Sequence, residues 1–404
     1  MNREDFPILT ETVYGKPLVY LDNAATTQKP KAMLDALTDA YLHRNANIHR
    51  GVHHLSQIAT QQHEAARKKA ADFLGANSEK EIIFTKGTTD SLNMLAFCFG
   101  EYGIHQDDEI IVSQLEHHSN IVPWQMLCQR KKAHLRVLPL DSNLRINADA
   151  VKTLITPRTR IISIAHVSNV LGTVQPIEEI IRIAHKHNIP VCIDGAQSAP
   201  HLPVNVKDMD CDFYVCSAHK MYGPTGLGIL YGKEEWLNIL PPAEGGGEMI
   251  EHVRFEQTTY NTLPYKFEAG TPNFIGSCAF AAALDYINSL GRDTVCQYEQ
   301  QLTAYMEQQL AAIPEVRVYS PGTDKAGAVS FNVYNGERLI HPFDVGTLLD
   351  RQGVAVRTGH HCAEPLIDYL QVPGTVRASI ALYNNQEDID TLISALKRAI
   401  TMLL

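Results

Sequence analysis

IPVCIDGAQSAPHLPVNVKDMDCDFYVCSAHKMYGPTG, residues 189–226, is the stretch that decides the fold. It holds two apolar runs, IPVCID (189–194) and CDFYVCS (211–217), and each ends on polar residues. Runs that are continuous, with no polar face, suit strands covered on both sides, as in a parallel sheet. Upstream, EIIFT (81–85), EIIVS (109–113) and RIISIAHV (160–167) have the same character. Segments of helical period lie between them, for example residues 88–100 and 177–188, the second followed by Pro190. This βαβ rhythm, from about Tyr14 to Leu240, predicts an α/β fold with a mostly parallel central sheet flanked by helices.

Past Leu240 the character changes. A glycine triplet at 245–247 and polar, aromatic residues up to Thr271 predict an excursion from the sheet, with a hairpin in it. A buried helix is expected from Ile275. AVSFNVY (328–334) and GVAVRTG (353–359) predict a second, smaller sheet. Ile389, Leu392, Ile393, Leu396, Ile400 and Leu403 recur three and four apart behind an N-cap candidate, Asn385, so a helix closes a C-terminal α+β unit.

The 404 residues, 45% hydrophobic and 20% charged, have the composition of an ordinary globular protein with ample core. A net charge of −10 with no Lys/Arg-rich run argues against nucleic acid as a partner. The acids and proline of the first seven residues do not read as an export signal, and no apolar segment has the length of a membrane span. A cytoplasmic protein with no membrane partner is expected. Most of the eight cysteines sit in apolar runs, as free buried thiols do. Cys362, in the polar stretch RTGHHCAEP, is the exception. Neither a CxxC pair nor an HExxH motif occurs, and no metal site is expected.

In an open parallel sheet, ligands bind beyond the C-terminal strand ends, so the residues after each run are the candidate site. Those exits carry Thr89, His117, Asn169, Asp194, Gln197, Ser217, His219 and Lys220. Gly87-Thr88-Thr89 opens a helix with free N–H groups and hydroxyls, which suits a phosphate as well as a plain helix cap. Asp194, at a buried strand end, needs a cationic partner, and a protonated pyridine nitrogen is one. A buried Lys220 amine is neutral more readily and able to form a Schiff base. His117 suits stacking on a planar ring.

These residues resemble fold-type I pyridoxal-phosphate enzymes, and specifically the SUF-type cysteine desulfurase and selenocysteine lyase group of the class V aminotransferase-like superfamily. The resemblance runs through LDNAATTQKP (21–30), HRGVHHLS (49–56), KGTTD (86–90), EHHSNIVPWQ (116–125), HVSNVLGT (166–173), DGAQS (194–198), SAHKMYGPTG (217–226), EAGTPN (268–273) and RTGHHCAEP (357–365). It implies pyridoxal 5'-phosphate bound covalently by Lys220, with Asp194 on the pyridine nitrogen, Gln197 on the ring hydroxyl and His117 on the ring face. Thr89, Ser217 and His219 are implied phosphate ligands, and Thr271 one that reaches the other subunit of a homodimer. Asn169 and Arg377 resemble the groups that hold the substrate carboxylate, with Arg357 and His360 beside the substrate.

By the same resemblance Cys362 takes sulfur from L-cysteine as a persulfide, leaving L-alanine, with Lys220 and His117 the other catalytic groups. The short loop carrying Cys362 implies transfer to an acceptor protein of a SUF-type system, for iron–sulfur cluster assembly. L-selenocysteine is an alternative substrate, and an aminotransferase without sulfur transfer an alternative activity, though transamination needs no thiol. The chain departs from the pattern at Asp90, where the family often has Glu. A large cofactor-binding domain over residues 15–284, with 1–14 and 285–404 forming the smaller one, is expected.

Overall fold

Strands without a polar face must be covered on both sides, and they are in the computed structural model, which describes residues 2–322 and 324–404. Every residue of Ile82–Thr85, Glu109–Ser113, Val191–Asp194 and Phe213–Ser217 is buried. The central sheet has seven strands, in the order Ile82–Thr85, Gly228–Gly232, Phe213–Ser217, Val191–Asp194, Thr159–Ala165, Glu109–Ser113, His134–Leu138. Gly228–Gly232 runs antiparallel to both its neighbours, and the other pairings are parallel. Two strands are absent from the sequence reading. His134–Leu138 is an edge with polar residues outward, and Gly228–Gly232 is bracketed by glycines that resemble turn signals. Gly228 is required by packing, since a Cβ there would stand 2.4 Å from the Gly87 Cα.

The helix Thr88–Gly103 runs a turn past the expected end, and Ile177–His185 stops short of it. Asn188, at φ 56°, has already left the helical region. Residues 244–271 contain the expected hairpin, Ile250–Val253 against Thr258–Tyr260.

A second sheet joins Val316–Val318, Ala328–Asn335, Thr375–Ser379 and Arg357–Gly359, with Arg338–Ile340 beside Ala328–Asn335. The run 353–359 divides between two partners. Val354–Ala355 pairs in parallel with Val19–Tyr20, while Arg357–Gly359 pairs antiparallel with Thr375–Ser379. The closing helix Gln386–Leu403 starts at Asn385, whose side chain accepts from the Asp388 N–H at 3.0 Å. Its Ile389, Leu392 and Leu396 pack with Val329 and Phe331 in a second core that also takes Val19 and Leu21. Phe6 and Leu9 pack in the first core instead.

Ile82–Thr85 lies at the sheet edge, where unpaired backbone groups need partners. Side chains supply them. Arg67 donates to the Ile82 carbonyl at 3.0 Å, and Glu268 accepts from the Phe84 N–H at 2.6 Å. Arg67 and Glu268 also form a bidentate pair, at 2.6 and 2.9 Å, buried from water. Glu268→Ala removes the bidentate one of two carboxylates on a buried guanidinium, leaving Glu64 at 3.0 Å, and strips the Phe84 N–H of its acceptor, so it is expected to cost about 3 kcal/mol. Lys31→Ala, which breaks the exposed Lys31–Asp35 pair, should cost less than about 1 kcal/mol. Urea-unfolding midpoints of the two variants check the contrast.

Candidate active site

The C-terminal strand ends open on one cavity that is continuous with solvent. Thr89, His117, Asn169, Asp194, Gln197, Ser217, His219 and Lys220 line it, as do Arg357, Cys362 and Arg377 from the second sheet and its loops. Two candidates lie elsewhere. Thr271 is exposed on the turn before the helix Phe274–Leu290, and His360 is exposed with its ring 3.9 Å from Glu364. His361 lines the cavity in place of its neighbour.

One end of the cavity is the N-terminus of Thr88–Gly103. Its N-cap, Gly87, is at φ 149°, a conformation suited to glycine, and has no side chain of its own to cap the helix. Ser217 accepts from the Thr88 N–H at 2.8 Å and lies 2.8 Å from the Thr88 hydroxyl. Asp90 accepts from the Lys86 N–H at 2.9 Å, which shapes the same turn. Hydroxyls and a positive dipole end therefore face one place, a fit for a phosphate.

Asp194 is buried at the other end, with Oδ1 accepting from the Ala196 N–H at 2.9 Å. Burial pushes its pKa up, against the pull of Lys220. Burial lowers the Lys220 amine to about 8, opposed by Asp194 and helped by Arg377 and Arg357. The backbone holding that lysine is pinned through the His219 carbonyl, which accepts from Lys29 Nζ at 2.8 Å and from the Thr26 and Thr27 hydroxyls at 3.1 and 3.2 Å. Gln197 donates to the Ala24 carbonyl at 2.7 Å. The His117 ring is lowered to about 3 by burial and by the charge of Lys220, so it is neutral. Its Nδ1 accepts from the Ser119 N–H at 3.0 Å, which assigns the proton to Nε2.

The second sheet closes the cavity. Arg357 and Arg377 stand directly opposite on paired strands, a repulsive arrangement that Asp22 offsets. Asp22 lies 3.0 Å from Arg377 and 3.9 Å from Arg357. Arg377, 2% exposed, also donates to the Asn169 carbonyl at 2.6 Å, and the Asn169 amide donates to the His361 carbonyl at 2.8 Å. Arg377 Nε is buried with no partner among the described residues, which suits an incoming carboxylate. His361 and Cys362 take φ 53° and 56°, a strained pair for side chains other than glycine. The His118 N–H bond to the Cys362 carbonyl, at 2.7 Å, helps to hold that turn. Cys362 is exposed, and the other cysteines are free and less accessible.

Sequence reasoning missed several of these groups. Ser119 and His361 lie within two residues of ones it named, and only the local turns turn them inward. Glu116 is fully buried beneath the cavity, bonded to Ser113, to the Ala165 N–H at 3.0 Å and to the Asn120 amide at 2.6 Å. Burial raises it to about 7. Its place between two strand exits is a tertiary property with no local signal.

The donor set fits pyridoxal phosphate. A buried carboxylate calls for a ring cation, a half-buried amine of low pKa is a partner for an aldehyde, and a helix N-terminus with hydroxyls takes a phosphate. Fold and site define a fold-type I pyridoxal-phosphate enzyme. Residues 19–392 match the family described as aminotransferase class V, and the chain belongs to that family.

A cysteine desulfurase of Escherichia coli O127:H6 is 49% identical over 397 residues, covering 98% of this chain and 97% of that one. One from Cronobacter sakazakii is 48% identical over the same shares. The structure of the E. coli cysteine desulfurase CsdA (S-sulfonic acid) matches with a TM-score of 0.92 and 40% identity, covering 100% of this chain and 98% of that one. The apo structure of a cysteine desulfurase from Thermococcus onnurineus NA1 matches at 0.93 and 37%, covering 99% and 98%.

A Lys220 amine of pKa about 8 is neutral above that pH and protonated below it. Uptake of pyridoxal phosphate by the apoprotein should therefore quicken as pH rises through about 8 and then level. An ordinary lysine places that rise near about 10.4. Stopped-flow absorbance checks the profile, and Lys220→Ala should abolish it.

Among the described residues no helix is long and apolar enough to cross a membrane.

Proposed function

We propose that the chain is a cysteine desulfurase, which moves the sulfur of L-cysteine to Cys362 and releases L-alanine. The observation that carries this reading is that an exposed thiol, Cys362, shares one cavity with Lys220, Asp194 and Arg377. Transamination has use for the last three and none for the thiol. Relatives named cysteine desulfurase at 48–49% identity across nearly the whole chain support it.

In this reading Lys220 binds the cofactor, Asp194 pairs with its ring nitrogen, Gln197 bonds its hydroxyl and His117 stacks on its face. Thr89, Ser217 and His219 hold the phosphate, with Thr271 reaching across to the second subunit of a homodimer. When bound, the cofactor supplies an electron sink for charge developing at the substrate α-carbon. Arg377 and the Asn169 amide hold the substrate carboxylate, with Arg357 and His360 on the outer side. The Lys220 amine, poised near neutral pH, takes and returns the α-proton. His117 stays neutral and adds no competing charge.

The Cys362 thiolate attacks the substrate sulfur. An S–S bond forms as the Cβ–S bond breaks, and the electron pair of the broken bond stays with carbon, which takes up a proton. The β-carbon is thus reduced to a methyl group while the sulfur is oxidised to the sulfane level, so two thiols give a persulfide and alanine with no outside oxidant.

The finer parts of the proposal are the SUF-type subgroup, the homodimer, a cytoplasmic location and delivery of sulfur to an acceptor protein for iron–sulfur cluster assembly. The short loop 360–363 between the strand Arg357–Gly359 and the helix Glu364–Tyr369 supports the acceptor step alone, because it gives Cys362 little reach and an acceptor then has to come to the cavity mouth.

Intact-mass analysis after incubation with L-cysteine tests the reading. Wild type should gain the mass of one sulfur and release alanine, and Cys362→Ser should do neither; equal behaviour of the two removes Cys362 as acceptor. Arg377→Lys should raise KM for cysteine at least about tenfold, since a lysine cannot make the bidentate fork. Mixing Lys220→Ala with Thr271→Ala protein should yield dimers in which one site has both residues, and no recovered activity rejects the shared site.

A further inference from the structure

His361 lines the cavity, is 5% exposed, and has no part in the reading above. Its Nε2 lies 2.9 Å from the Thr375 hydroxyl and 3.2 Å from the Thr375 carbonyl. A carbonyl only accepts, and the Thr375 hydroxyl directs its own proton to Ser330, at 3.4 Å, which donates to the Val170 carbonyl at 2.6 Å. The chain of donors therefore assigns the ring proton to Nε2 and leaves Nδ1 with a lone pair. Nδ1 is buried and has no partner among the described residues. Burial and the charge of Arg377 hold the ring near about 3, so it accepts a hydrogen bond without taking the proton.

An unpartnered buried acceptor on a residue that lines a polar cavity calls for a donor from the ligand. On the desulfurase reading, on which this rests, the substrate carboxylate can only accept, and Arg377 Nε is the free group that meets it. The amino group faces Lys220 and the cofactor. The remaining donor on cysteine is its thiol. We propose that His361 Nδ1 accepts the S–H of the substrate, which makes His361 the residue that distinguishes a thiol side chain from an alkyl one of the same size. The contact sets the substrate sulfur beside the next residue, Cys362, and the Asn169 bond to the His361 carbonyl couples that placement to the carboxylate grip.

Two substitutions separate the ring nitrogens. In His361→Gln the amide nitrogen takes the Nε2 place against Thr375 and the Nδ1 acceptor is lost. In His361→Asn the amide oxygen takes the Nδ1 place and the Thr375 link is lost. Each holoenzyme is assayed for the KM of L-cysteine and for inhibition by L-2-aminobutyrate, which carries a methyl in place of the thiol. The Gln variant should raise KM roughly three- to tenfold with unchanged inhibition by the analogue, and the Asn variant should keep KM close to wild type.

The inference is overturned if KM and the inhibition constant rise together, if Gln matches wild type, or if Asn is the worse of the two. Altered alkylation of Cys362 by iodoacetamide with unchanged KM also overturns it, by moving the acceptor to the enzyme's own thiol. A wild-type protein that makes no alanine removes the desulfurase reading and this inference together. Normal turnover with the wrong variant pattern removes this inference alone.

Discussion

Arg377 pins the two halves of the molecule together at the place where the chemistry is proposed. It sits on a strand of the second sheet, yet its guanidinium meets the Asn169 carbonyl beyond the large sheet and the Asp22 carboxylate from the N-terminal segment. Taking such a cation out of water costs several kcal/mol unless its donors are met. Two of its nitrogens are met by protein, and the third, Nε, is buried with no partner among the described residues. Asn169 passes the constraint on to His361 and so to the Cys362 turn. The turn that carries the thiol is thus bonded to the strand exits through the groups that satisfy a buried arginine.

The cavity then holds few charges, and burial acts on those at its floor. It raises Asp194, lowers Lys220 and keeps His117 and His361 neutral. The attraction between Asp194 and Lys220 opposes both of their shifts. A cofactor with a ring cation and an aldehyde relieves the strain at both ends, since it gives the carboxylate a partner and consumes the amine. Two arginines against one carboxylate, Asp22, leave net positive charge on that wall of the cavity.

Polar groups away from the cavity hold its walls in place. Glu116 spaces two strand exits through three neutral donors, with burial raising it toward neutrality. Arg67 and Glu268 complete the edge of Ile82–Thr85, whose next residues form the turn into the Thr88–Gly103 helix. Glu268 lies three residues before Thr271, so the same pair ties that exposed loop to the strand that leads into the Thr88–Gly103 helix.

Much of this was legible in the linear pattern. Continuous apolar runs have no alternative to a doubly covered sheet, so the strands of Asp194 and Lys220 and the residues at their exits followed from the sequence by itself, as did the capped final helix. The edge strand His134–Leu138, the antiparallel strand Gly228–Gly232 and the division of 353–359 did not, because edge exposure and a change of partner leave no period in the chain. The site divides the same way. Residues at strand ends were readable because a parallel sheet sends every exit to one side. His361 in place of His360, and Glu116 beneath both exits, were decided only by tertiary structure, because which of two adjacent side chains turns inward depends on φ angles and on buried partners more than ten residues distant in the chain.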